Sequence, residues 1–304
     1  MLNRIGKVNF FLVGGPKCGT TAMVSYLKTH PDIYMSEPKE SNFFLDDMAE
    51  MKYISRAKEY AQLFNNFESD HKIFCDASIL YMYSEKALKN IYRYNPEAKV
   101  VIMLRDPIEM VHSFHSQIVY TLDEDVDDFE KAWDLESERK QGQNLPKNCR
   151  DVKLLYYSEI AKYNLQLKRV YRLFPREQVM VILFRDFKNS NLDTYKKLLE
   201  FLGVPYDGRT DFPVVNEAKT AKSRLINKFV NRPPKVLKRT SKYITKILNK
   251  PRLGLLERLD KLNRAKDTKQ ELPNALRHKI KKAYQDDVKA LEHLLKRDLG
   301  HWLK

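Results

Sequence analysis

The sequence predicts an α/β fold: a P-loop-type parallel β-sheet flanked by helices on both faces, with a basic helical C-terminal extension. Three observations predict it. Short apolar runs of strand length alternate with longer stretches of helical period. The first run, "VNFFLV", ends in the glycine loop "GGPKCGTT", which leads into a helical pattern. After "FLGVPYDG" the chain turns strongly basic.

The elements follow in order. Residues 8–13 read as a buried strand closed by Gly14 and Gly15, and Thr20 to His30 as a helix stopped by Pro31. Strands are expected at "KIFCD" (72–76), "KVVIML" (99–104) and "VMVILF" (179–184). Helices are expected over 84–94, 107–120, 129–141, 158–174 and 192–202. Apolar runs with helices between them imply parallel strands covered on both faces. The end of the chain carries Ile280, Tyr284, Val288, Leu291 and Leu295 at helical spacing. The expected organisation is a single domain over 1–304, with an α/β core over 1–217 and a basic lid segment and C-terminal helices over 218–304.

Composition narrows the class. With 43% hydrophobic and 31% charged residues, the chain is that of a folded protein and not a disordered one. No stretch approaches the roughly 18 apolar residues of a membrane span. The start has only a short apolar run, so no signal peptide is read and a cytoplasmic location is expected. Cys18, Cys75 and Cys149 are odd in number and widely spaced, which argues against a disulfide framework or a zinc site. The formal charge is +15, and residues 219–264 hold 15 Lys/Arg against Glu257 and Asp260, a net +13. Such a stretch attracts anions: nucleotide, acidic polysaccharide, nucleic acid or acidic lipid. Within it, Val236, Leu237, Ile244, Ile247 and Leu248 form a helical stripe that suits either the core or a membrane surface.

The chemistry starts at the glycine loop. A helix N-terminus offers unpaired N–H groups and partial positive charge, and glycines let the backbone wrap an anion. In a nucleoside-triphosphate loop a lysine follows the last glycine; here that place is Thr20, and the lysine is Lys17, inside the loop. Cys18 reads as a small residue fitting a tight turn. Strand 99–104 runs into "RDPIEMVHS", where Arg105 sits at the carboxyl end of a strand and Ser113 lies two helical turns on. An arginine and a hydroxyl there suit a second phosphate. Asp106 could instead be the magnesium aspartate of an NTPase or kinase, a reading weakened by Arg105 before it and by the missing loop lysine.

Two phosphate sites without an evident metal site point to 3′-phosphoadenosine-5′-phosphosulfate (PAPS). At "PKCGTTAM" and "RDPIEMVHS" the chain resembles the PAPS-dependent sulfotransferases. The resemblance continues through "PDIYMSEPKESNFF", residues 156–187 and "LLEFLGV", so it spans most of 8–206. It is nearer to bacterial and carbohydrate-type, heparan-sulfate-like members than to the phenol type. It implies PAPS as sulfuryl donor and no metal. Pro16, Lys17, Cys18, Gly19, Thr20 and Thr21 would line the 5′-phosphosulfate, with Lys17 on the bridging oxygen, and Arg105 and Ser113 would hold the 3′-phosphate. Glu40 in "KESNFF" would be the base, ahead of His112, His115 and Glu37; a sugar hydroxyl needs a positioned carboxylate to take its proton. The late loop "NEAKTAKSR" would supply Lys219, Lys222, Ser223 and Arg224.

The chain departs from the family at Met110, where an arginine is frequent, and at Ala77, where the heparan type often has lysine. The expected acceptor is a hydroxyl on a saccharide or glycolipid, with a small non-carbohydrate metabolite as the alternative. Residues 219–264 are a candidate surface for an acidic polymer or membrane, and nucleic acid is not an expected partner. A basic nucleic-acid- or membrane-binding protein built on an inactive nucleotide fold would leave the two motifs without a role. Loops 32–70 and 120–157 would set specificity, and the acidic cluster "TLDEDVDDFEKAW" would repel an anionic acceptor.

Overall fold

The computed structural model describes residues 8–65, 71–215 and 271–303, together with the backbone of two short strands at 219–221 and 264–266. The chain divides into two compact units. The first holds residues 1–111, 156–216 and 274–304; the second holds 112–155 and 217–273.

The first unit is built on a five-stranded sheet, β1 (Phe10–Gly14), β2 (Ile33–Met35), β3 (Ile73–Asp76), β4 (Lys99–Leu104) and β5 (Val179–Leu183). The order is β2-β3-β1-β4-β5 and every pairing is parallel. Strands β1 and β3 are buried along their whole length, and β4 from Val100 to Leu104, as the apolar runs require. Helices α1 (Thr20–Leu27), α2 (Ala57–Gln62), α3 (Ala87–Tyr94), α4 (Pro107–Tyr120), α5 (Phe129–Asp134), α6 (Glu136–Lys140), α7 (Tyr157–Ile160), α8 (Tyr163–Tyr171), α9 (Phe184–Asn189) and α10 (Asn191–Leu202) follow in chain order. Of these, α5 and α6 belong to the second unit, and a long C-terminal helix, Asn274–Leu295, completes the first. Four of the five residues of its predicted stripe, Ile280, Tyr284, Val288 and Leu291, are buried, and Leu295 in the last turn is only half-buried.

Two differences from the sequence-based expectation trace to contacts with segments distant in the chain. β2 is only three residues long, too short to show a period, and is fixed by its pairing to β3, Tyr34 beside Phe74. The single helices expected over 129–141 and 158–174 are each two, α5 with α6 and α7 with α8. Asp287 of the C-terminal helix accepts the N–H groups of Asn164 (2.9 Å) and Leu165 (3.3 Å), so α8 starts on a cap supplied from a distant segment.

In the second unit the acidic cluster divides: Asp123 and Glu124 turn inward, while Asp125, Asp127, Asp128 and Glu130 stay exposed. Glu124 is buried and accepts both terminal nitrogens of Arg139 at 2.6 and 2.7 Å. Asp123 is buried against Arg150, whose Nε lies at 2.8 Å. Burial raises the Asp123 carboxyl, but the bonds and charge of Arg150 outweigh it and hold the group below the usual range. Asp128 caps α5 by accepting the N–H of Lys131. The short strands β6 (Lys219–Ala221) and β7 (Arg264–Lys266) pair antiparallel. The remainder of the basic stretch, including the stripe from Val236 to Leu248, lies outside the described residues. Among the described residues no helix is long and apolar enough to cross a membrane.

Gly14 fixes the sheet at the point where the glycine loop begins. It pairs with Met103 at φ +136°, and a Cβ there would sit 2.2 Å from the Met103 carbonyl oxygen, a backbone atom that cannot turn aside. Gly14→Ala is therefore expected to cost about 3 kcal/mol or more. Urea unfolding checks this; an unchanged midpoint would contradict the close approach.

Candidate active site

The open sheet concentrates its loops at the carboxyl ends of β1, β3 and β4, where the strand order reverses direction around β1. Loop 15–19 leaves β1 there. The Gly15 N–H still reaches the Met103 carbonyl (3.1 Å), so the ladder runs one residue past the strand. Lys17 takes a left-handed backbone at φ 60°, uncommon for a residue with a side chain, and is partly exposed. Gly19 follows at φ +90° as the N-cap of α1 and has no side chain with which to cap. A Cβ on Gly19 would meet the Phe184 ring at 2.9 Å. The first-turn N–H groups of α1 and the Thr20 and Thr21 hydroxyls thus open at a positive helix end.

Arg105 closes the other side of this loop. Its Nη1 donates to the Lys17 carbonyl (3.3 Å), its Nη2 to Glu109 (3.2 Å), and its guanidinium lies over the Phe184 ring at 5.0 Å. Arg277 of the C-terminal helix stands 3.6 Å from the same Glu109 carboxylate. Two guanidiniums therefore share one carboxylate beside the loop.

Cys18 turns inward. Its thiol is fully buried against Pro16 and Tyr163, and burial pushes it up to about 12 despite the opposing charge of Arg105. It is packing, as the tight-turn reading requires, and at neutral pH it is a thiol and not a nucleophilic thiolate.

Glu40 is held by a chain of bonds that starts at the end of β3. Asp76 is buried and accepts hydroxyl hydrogens from Ser78 (2.7 Å), Ser41 (2.8 Å), Tyr81 (2.9 Å) and Tyr60 (3.1 Å). Burial raises its pKa even against those four donors. Ser41 then receives the N–H of Phe43, and Ser78 that of Asn42. The segment 40–43 is fastened to the sheet on both sides of its turn, with Glu40 at φ 65° and Asn42 at φ 52°. The Glu40 carboxylate accepts from Lys39 Nζ at 3.1 Å, and the same ammonium donates to Thr21 (3.1 Å) and Thr20 (3.3 Å). That ammonium joins the Glu40 loop to the glycine loop.

The remaining candidates fall elsewhere. Glu37 is exposed and paired with Lys28, a surface carboxylate. Ser113 is buried on α4, two turns past Pro107. His115 is buried with Nε2 on the Val126 carbonyl (2.8 Å), and its burial lowers its pKa; His112 stacks on Phe129. Met110 and Ala77 are core residues. Lys222, Ser223 and Arg224 lie outside the described residues, and of Lys219 only the backbone is described. Asp106 caps α4, accepting the N–H groups of Ile108 (2.8 Å) and Glu109 (3.4 Å). Among the described residues no group of three or more His, Cys, Asp or Glu is placed to hold a metal ion. Lys39, Glu109, Phe184 and Arg277 carry no signal the sequence reading used, although Lys39 stands next to Glu40 in the quoted motif.

A glycine loop at the end of the first strand, an arginine at the end of the fourth and a carboxylate joined to the loop's helix through Lys39 are the parts of a candidate anion site on a P-loop-type sheet. The sulfotransferase domain family model matches residues 7–292, and the chain belongs to that family. It is similar over 99% of its length to all of a sulfotransferase from Alicyclobacillus acidocaldarius, with 26% identity and a TM-score of 0.71. Carbohydrate sulfotransferase 15 of Mus musculus is 23% identical over 64% of this chain and 44% of its own length. Bifunctional heparan sulfate N-deacetylase/N-sulfotransferase 1 of Caenorhabditis elegans is 26% identical over 36% of this chain and 13% of its own. The chain thus spans less than half the length of these curated relatives.

The Asp106 carboxyl is pushed up to about 6 by burial, against the two helix N–H groups that favour its charge. A carboxyl raised in the folded state binds its proton more tightly there than when unfolded. Its contribution therefore favours folding at low pH and is lost as pH rises from about 4 toward 6. Asp106→Asn, which keeps a capping oxygen, should remove that fall. Unfolding free energies of the two proteins, compared from pH 4 to 7, check it; parallel curves would contradict it.

Proposed function

We propose that this chain transfers a sulfuryl group from PAPS to a hydroxyl of a saccharide or glycolipid acceptor. The observation that carries the reading is the junction of loop 15–19, Arg105 and Glu40 at one end of the sheet, joined through the Lys17 carbonyl and the Lys39 ammonium. When bound, the donor supplies the sulfuryl group and a phosphate leaving group. The residues present suit it: an uncapped helix end with two hydroxyls for the 5′-phosphate, and the Arg105 guanidinium for the 3′-phosphate, with Ser113 the hydroxyl the sequence motif assigns to it. Family membership and the likeness to carbohydrate-acting relatives support the same assignment.

Each residue then has a defined task. Glu40 takes the acceptor proton while the acceptor oxygen forms its bond to sulfur. Lys17 faces the oxygen on which charge develops as the bond from sulfur to the 5′-phosphate breaks, and it stabilises that charge. The loop and Arg105 fix the line of attack and need only position the reactants. The products are a sulfated hydroxyl and 3′-phosphoadenosine-5′-phosphate. The buried His115, held on a carbonyl, suits packing better than proton transfer.

Radiolabelled sulfuryl transfer to a panel of saccharides, glycolipids and small hydroxylated metabolites tests this reading. Glu40→Gln should lower kcat by about 10²–10⁴-fold while the affinity for 3′-phosphoadenosine-5′-phosphate stays within about twofold. Label entering only small metabolites would favour the non-carbohydrate alternative. Full activity of Glu40→Gln would remove Glu40 as the base.

A further inference from the structure

The Lys39 ammonium has three N–H donors, and three oxygens stand at hydrogen-bond distance from it: Thr20 Oγ1, Thr21 Oγ1 and Glu40 Oε1. The side chain is mostly buried, at 21% exposure, so this arrangement is built into the fold and is not a surface lysine at rest. Thr20 and Thr21 are the first two residues of α1. A cation there sits at the positive end of a helix dipole, an unfavourable place unless an anion shares it. In the protein alone Glu40 is the anion in contact. Lys17 belongs to the same loop, and the Arg105 guanidinium is bonded to its carbonyl. Positive charge thus gathers around two hydroxyls that already point at the ammonium.

We propose that Lys39 is a donor-binding residue, contacting the 5′-phosphate end of the nucleotide while its bond to Glu40 keeps the base beside the transferred group. The inference rests on the reading that the donor occupies loop 16–21. A phosphate seated on the Thr20 and Thr21 hydroxyls comes within reach of the ammonium that now donates to them, and a bond between two charged partners replaces one between an ammonium and a neutral hydroxyl. Lys39 then faces two anions, one from the donor and one from the base, and links donor occupancy to the placement of Glu40. The 3′-phosphate, assigned to Arg105 and Ser113, receives nothing from it.

The test is metal-free calorimetry of the whole chain with two ligands, 3′-phosphoadenosine-5′-phosphate and adenosine 3′-monophosphate, the second at millimolar concentration. Lys39→Met should weaken the first about tenfold and the second less than twofold, and Lys39→Arg should restore the first to within about threefold of wild type. Thermal unfolding of each variant is followed alongside, and the ratio of the two affinities within one variant does not depend on its stability. Equal weakening of both ligands, or no weakening of either, would overturn the proposal. A wild-type protein that fails to bind 3′-phosphoadenosine-5′-phosphate would contradict the donor reading itself and remove this proposal with it. Wild-type binding matched by Lys39→Met would contradict Lys39 alone.

Discussion

The parallel pairing of β1 with β4, held in register from Phe10 beside Lys99 to Gly14 beside Met103, is what the rest of the site depends on. It brings the first residue of the glycine loop and the residue before Arg105's strand end to the same height on the sheet. The backbones approach so closely at Gly14 that no side chain fits. A shift of one residue would exchange the two faces of each strand and separate the loop from the arginine. Because β1 and residues 100–104 of β4 are buried, that register is specified by the apolar runs themselves. The Arg105 bond to the Lys17 carbonyl is then a consequence of the sheet and not an independent feature.

Around this frame the protein manages charge in two different ways. Asp76 is buried with four hydroxyl donors and never meets solvent; it acts as a clamp that fixes the segment carrying Glu40. Lys17, Lys39 and Arg105 instead gather at an uncapped helix end and remain partly open. The clamp is closed and satisfied, whereas the cations gather at the helix end to which the donor phosphate is proposed to bind. That contrast separates the structural part of the polar network from the functional part.

Much of this was legible in the sequence. The "VNFFLV" and "KVVIML" runs, the glycine loop and Arg105 at a strand end specify sheet, loop and arginine through short-range pattern alone. Helix α4 begins and ends where its pattern says, because Pro107 opens it and Asp106 caps it. What could not be read depends on partners distant in sequence. The break before α8 comes from Asp287, more than 120 residues away. The inward turn of Asp123 and Glu124 depends on Arg150 and Arg139. Lys39 looked like a neighbour of the base, and only the fold shows that its ammonium reaches α1. β2 fails for another reason: three residues carry no period.

The most direct test of the central claim, that the loop and Arg105 form a metal-free site for a nucleotide with phosphates at both ends, is calorimetry of the wild-type chain in a chelator. Titration with 3′-phosphoadenosine-5′-phosphate should give micromolar, one-to-one binding, while ATP with magnesium, titrated without chelator, should bind far more weakly. Tight ATP–magnesium binding with none of the bisphosphate would contradict the account and make the site that of a nucleoside-triphosphate enzyme.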